Sequence, residues 1–140
     1  MRIRPADMVR PALLVAEGEP PDGVSTRKLV LETAKFNVLT AHSTQEAIEL
    51  YGFFPAISAV VMVECAEVKC EALVQAIRQV DPPGKLPIIA LSPRIGFLCE
   101  GVDYTLPSRD PEALLNLVRK LLGDPRQLDI EQQQEARQQQ

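Results

Sequence analysis

Short apolar runs alternate along this chain with stretches whose apolar residues recur at helical spacing. Ser58 to Cys65 (S-A-V-V-M-V-E-C) is the most telling run. Its consecutive apolar residues, three of them Val, lie between Pro55 and a more charged stretch, which suits a strand covered on both faces. Ala12 to Ala16 (A-L-L-V-A) is a second such run, and it stops in the acidic turn Glu17-Gly18-Glu19-Pro20-Pro21-Asp22-Gly23. Val24 to Ala34 then reads as a helix with Val24, Leu31 and Ala34 on one side and Ser25 or Thr26 as its cap. Phe36 to Ala41 is β-rich, and Ser43-Thr44-Gln45-Glu46 has the form of a capping box with Ala47, Leu50 and Tyr51 behind it. After the central strand, Leu73, Ala76, Ile77 and Val80 predict a third helix, ended by Asp81-Pro82-Pro83-Gly84.

Pro87 to Leu91 gives a fourth strand, but the segment from Pro93 to Glu100 holds Pro93 and Gly96 and leaves little room for a helix. Val102 to Leu106 is the fifth strand. Asp110 caps a last helix with Pro111 at its first position, Glu112 in its first turn, and Leu114, Val118 and Leu121 as its buried stripe; Gly123 and Pro125 close it. Five strands alternating with helices through short connections predict an α/β sheet with right-handed crossovers. In an open parallel sheet, ligands collect beyond the carboxyl ends of the central strands, which marks Val63, Glu64 and Cys65. The organisation is an N-terminal extension over 1–10, one domain over 11–123, and a Gln-rich tail over 124–140. In that tail Leu128 and Ile130 are the only large apolar residues, so it reads as disordered or a linker. The second reading of the tail is a helix that packs on a partner.

Composition narrows the function. The length of 140 residues with 46% hydrophobic content fits a single core. A net charge of -4, without a basic stripe, argues against nucleic acid. No apolar run reaches the length of a membrane span, and nothing resembles a signal peptide, so a cytoplasmic protein is expected. Three cysteines, an odd number, agree with a reducing compartment.

Over roughly Pro11 to Gly123 the pieces fall in a familiar order: L-L-V-A-E-G-E-P after the first strand, F-N-V-L-T-A-H-S-T-Q-E-A-I-E-L across the second unit, L-P-I-I-A-L-S at the fourth, and G-V-D-Y-T-L with D-P-E-A-L-L at the fifth. Together they resemble a response-regulator receiver (CheY-like) domain of two-component signalling. The resemblance implies a flavodoxin-like three-layer sandwich with a five-stranded parallel sheet of order 2-1-3-4-5, here with the fourth helix shortened or absent. It also implies a pocket in which two carboxylates hold Mg²⁺, an Asp accepts a phosphoryl group, a Ser or Thr bonds the phosphoryl oxygen, and a Lys neutralises it. Carried onto this chain, the acidic pair falls on Glu17 and Gly18, which keeps one carboxylate, lengthened. The acceptor falls between Met62 and Glu64, with Val63 the best match, and no aspartate occurs between Asp22 and Asp81. Ser92 matches the hydroxyl position. The lysine position falls on Ser108, followed by Arg109, and the switch aromatic falls on Thr105, beside Tyr104. The expectation is a degenerate pseudo-receiver, not an enzyme, without a cofactor and with Mg²⁺ binding lost, Glu17 being at most a remnant ligand.

Such a module would act by phosphorylation-independent contact with a protein, a histidine kinase or an output domain. A homodimer would not use the usual fourth-helix face. The alternative is an atypical receiver that still takes a phosphoryl group or phosphate-like ligand at Ser92 or Glu64; a small-molecule site lacks the Gly-rich helix start that holds phosphates. Glu64 is read as a strand-end glutamate in water, against a permanent stand-in for a phosphorylated aspartate that reaches Ser92, because alternation puts Val63 and Glu64 on opposite faces. Cys65, Cys70 and Cys99 have poor zinc spacing and read as ordinary thiols. His42 reads as structural, Glu17 and Glu19 as a solvated acidic turn, and Arg109 as exposed, with anion attraction as its second reading.

Overall fold

The structure, a computed structural model, describes residues 10–54 and 56–138. Five strands, β1 (Ala12–Ala16), β2 (Asn37–Ala41), β3 (Ile57–Val63), β4 (Ile88–Ser92) and β5 (Tyr104–Pro107), form one parallel sheet of order β2-β1-β3-β4-β5. Helices α1 (Thr26–Thr33), α2 (Thr44–Phe53), α3 (Cys70–Arg78), α4 (Pro111–Leu122) and α5 (Pro125–Gln138) complete the order. Side-chain alternation splits the strand residues between two cores. Leu14, Ala16, Val60, Met62 and Ala90 pack with Leu73 and Ile77 of α3. Leu13, Val15, Val61, Val63 and Leu91 pack with Leu31 of α1 and Leu114 and Val118 of α4. Two covered faces are why the strands read as uninterrupted apolar runs.

The caps fall where the sequence puts them. Ser25 Oγ accepts from the Lys28 N–H at 3.2 Å, Ser43 Oγ from Glu46 at 3.1 Å, and Asp110 Oδ1 from Ala113 at 2.9 Å. Two stripe residues depart from expectation. Val24 is exposed because it precedes the Ser25 cap, and Val80 is exposed because α3 ends at Arg78, ahead of Asp81-Pro82-Pro83.

No helix joins β4 to β5, as the short segment predicts. The connection is instead tied down by Arg78 of α3. Its guanidinium donates to the Gly101 carbonyl at 3.0 and 2.9 Å and to the Leu86 carbonyl at 2.9 Å, and it pairs with Asp103 at 2.7 Å. Asp103 Oδ2 also accepts from the Ile88 N–H at 2.7 Å. Strand β5 starts at Tyr104, later than the expected Val102, because the connection runs on through these bonds before pairing begins.

The tail corrects the expectation of a disordered segment beginning at 124. Pro125 is buried, Asp124 Oδ1 accepts from the Arg126 N–H at 2.9 Å, and the Arg126 guanidinium donates to the Thr33 carbonyl at 2.8 Å. The start of α5 is therefore bonded to the end of α1, while residues 133–137 are exposed. The extension read over 1–10 lies, apart from Arg10, outside the described residues.

Candidate functional site

The carboxyl ends of β1, β3, β4 and β5 carry Glu17, Val63, Glu64, Ser92 and Ser108; the structure puts Glu17 and Glu64 in two separate polar clusters and the Val63 side chain in the core. Glu17 follows β1 directly, and its N–H donates to the Ala41 carbonyl at 2.9 Å, so the turn is fixed by the sheet. Its side chain is 1% exposed, which corrects the reading of a solvated acidic turn for Glu17, whereas Glu19 is exposed as that reading has it. The Ser25 hydroxyl donates to one carboxylate oxygen, and Arg27 Nε donates to the other at 2.5 Å. Arg27 also reaches the Ser108 carbonyl at 3.5 Å, and the Ser108 N–H donates to the Ser92 carbonyl at 3.0 Å. His42 Nδ1 lies 3.2 Å from the Glu17 carbonyl, a structural role as expected.

Glu64 sits one residue past β3, and its N–H donates to the Leu91 carbonyl at 2.8 Å. The Ser92 hydroxyl donates to Glu64 Oε2, and Arg94 pairs with Glu64 Oε1. These bonds correct the reading of a strand-end glutamate in water. Alternation itself holds: Val63 belongs to the core under α1 and α4. Glu64 lines a cleft with Val68, Cys70 and Phe97 on the α3 side, the side on which Ala90 of β4 also packs. Ser92, two residues past Ala90, faces the same way and so meets Glu64 and not Val63. The Ser92 hydroxyl and the Arg94 guanidinium hold the Glu64 carboxyl below its ordinary value of 4.5, the hydroxyl contributing most. The Arg94 N–H donates back to Ser92 Oγ at 3.0 Å, and its guanidinium lies 5.4 Å from the centre of the Phe97 ring.

Thr105 and Tyr104 are both exposed on the edge strand β5. Thr105, Pro93, Ile95 and Gly96 line a cleft of about 270 Å³ beside Ser92. Arg109 is exposed. The three cysteines are free thiols, and burial pushes Cys70 up to about 11 and raises Cys99, so both stay protonated at neutral pH.

The groups do not fit the Mg²⁺ ion that the resemblance implies. Both Glu17 oxygens are engaged, the Val63 side chain offers no ligand, and Gly18 supplies no carboxylate where the resemblance puts the second one. Among the described residues no group of three or more His, Cys, Asp or Glu side chains is placed to hold a metal ion. Arg27 and Arg94, which complete the two clusters, were not singled out by the sequence reading. Arg27 carried one signal: a cation in the first turn of a helix opposes the helix dipole unless an anion sits beside it.

No protein-family model matches the chain, and no curated protein matches it. Solved structures do. A response regulator receiver domain protein from Clostridium thermocellum superposes with a TM-score of 0.67 at 18% identity, over 84% of this chain and 98% of that one. The receiver domain of the hybrid histidine kinase CckA gives 0.63 at 22% identity, over 79% and 98%. A probable two-component system response regulator/GGDEF domain protein gives 0.68 at 21% identity, over 83% of this chain and 50% of that one. The fold is therefore that of CheY-like receiver domains, with the strand order that the resemblance implies. Among the described residues no helix is long and apolar enough to cross a membrane.

Proposed function

We propose that the chain is a receiver-like signalling module of the two-component type that acts by contact with a protein partner and takes up no phosphoryl group. One observation carries this reading. The Ser92 hydroxyl, at the position that would bond a phosphoryl oxygen, already donates to the Glu64 carboxylate, which Arg94 holds in place. The acceptor position is apolar, and the anion that the hydroxyl would wait for is built into the chain. Glu64 thus serves as a permanent stand-in for a phosphorylated aspartate, and the module needs neither Mg²⁺ nor a catalytic step. Its partner is a histidine kinase or an output domain in the cytoplasm, a reading supported by neighbours that belong to a hybrid histidine kinase and to a response regulator/GGDEF protein. A homodimer would use a surface other than the one a helix between β4 and β5 would supply.

The test is incubation with acetyl phosphate and Mg²⁺ followed by intact mass, with an amide NMR titration by beryllofluoride beside it. The expected results are an unchanged mass and no saturable shifts at Glu17, Glu64, Ser92 or Ser108. A phosphoryl adduct at Ser92 or Glu64 would establish the alternative, an atypical receiver that still takes the group.

A further inference from the structure

We infer that Arg27 is a resident cation standing where the fold family holds its metal ion, so that the Glu17 end of the sheet carries a fixed charge and is indifferent to divalent ions. The inference rests on the reading of a pocket that has given up phosphoryl chemistry, and it goes beyond that reading by naming what replaced the metal. Glu17 is 1% exposed, and a buried carboxylate needs a counter-charge and hydrogen bonds on both oxygens. Ser25 supplies one bond. Arg27 Nε supplies the other, with the charge, at 2.5 Å. The guanidinium also reaches the Ser108 carbonyl at 3.5 Å, so one side chain links the end of β1 to the turn after β5. That turn is the position on which the family's lysine falls. The single arginine, fixed in the first turn of α1, therefore does the neutralising work that the family divides between an ion and a lysine.

A divalent ion approaching Glu17 meets a positive charge already bonded to the carboxylate, whose two oxygens are both engaged. Val63 ends β3 one step beyond the Ala16–Met62 pair, and its side chain lies in the core under α1 and α4, beneath the helix that carries Arg27. An aspartate introduced at Val63 would thus stand on Arg27's side of the sheet, where the arginine neutralises it as well. Only the loss of Arg27 leaves these carboxylates in need of a metal.

The experiment compares wild type, Arg27→Gln, Val63→Asp and the double variant Val63→Asp/Arg27→Gln. Thermal unfolding is followed in chelator and in Mg²⁺, and Mn²⁺ broadening of amide signals around Glu17 and Val63 is recorded by NMR. Wild type and Val63→Asp are expected to melt at the same temperature with and without Mg²⁺ and to show no saturable Mn²⁺ broadening. Arg27→Gln is expected to melt lower and to acquire saturable broadening at Glu17 and Gly18. The double variant is expected to gain melting temperature steadily with Mg²⁺, as a ligand that binds the native state requires. If it folds only with the ion, recovery of the folded spectrum is itself that readout. Saturable Mn²⁺ broadening at Glu17 in wild type, or an Arg27→Gln variant as silent as wild type, would overturn the inference. Phosphoryl uptake by wild type would overturn the proposed function alone, whereas Mn²⁺ binding without such uptake would overturn the resident cation alone.

Discussion

Ser92 works in two directions: its hydroxyl donates to Glu64 and accepts the Arg94 N–H at 3.0 Å, so one side chain ties a strand end to a carboxylate and to the start of the next connection. Because the hydroxyl is the largest cause of the lowered Glu64 pKa, Ser92→Ala should let that carboxyl titrate closer to 4.5. A folded pKa below the unfolded one stabilises the fold above the unfolded value, and the contribution is lost as pH falls through the folded value. The stability gap between wild type and Ser92→Ala should therefore be widest at neutral pH and close in acid, which urea unfolding at a series of pH values would show beside a carboxyl NMR titration. A Glu64 pKa that does not move would assign its depression to Arg94 instead. The residues at this scale were half legible. The sequence offered Glu64 reaching Ser92 as one of two readings, and alternation along β3 was read correctly. Missing was the face on which Ser92 points, which depends on how β4 pairs with β3.

At the scale of elements, the connection between β4 and β5 stands apart, since it carries no helix. Its shortness was legible from Pro93, Gly96 and the count of residues to Gly101. What replaces the helix was not, because the Arg78 bonds to Gly101, Leu86 and Asp103 join segments distant in sequence. Gly101 has φ of 91°, and a Cβ there would meet Val74 Cγ1 at 2.5 Å. Both the positive φ and the contact demand glycine, so the connection can lie directly on α3 only with no side chain at this point. Gly101→Ala should cost about 2–4 kcal/mol, combining backbone strain with overpacking, measured as a lower urea midpoint. An unchanged midpoint would mean that the connection is free to lift from α3. The α5 helix shows the converse limit of pattern reading. A Gln-rich stretch signals little to bury, and the bond from Arg126 to the Thr33 carbonyl, which fixes the start of the helix to the end of α1, leaves no periodic trace.

For the whole molecule, the two-sided burial of β1, β3 and β4 was readable because these inner strands are apolar on both faces, a constraint written in consecutive residues, whereas the strand order followed from the resemblance to receiver domains. The functional pole was less readable, because its chemistry depends on which face each strand-end residue takes. In a receiver the metal ligands, acceptor and hydroxyl serve one reaction and must act as one site. Here the Glu17–Ser25–Arg27 cluster faces α1, and the Glu64–Ser92–Arg94 cluster lies over the core that holds α3. The link between them is the backbone bond from Ser108 to Ser92. Sites without shared side-chain partners should be energetically independent, adding within about 0.3–0.5 kcal/mol. A double-mutant cycle of Arg27→Ala and Ser92→Ala, read by urea unfolding, should therefore return a coupling energy within that range. A coupling well above about 1 kcal/mol, of the size seen for residues in one hydrogen-bond network, would mean that the two clusters act as a single pocket and that their division between the two faces of the sheet is only geometric.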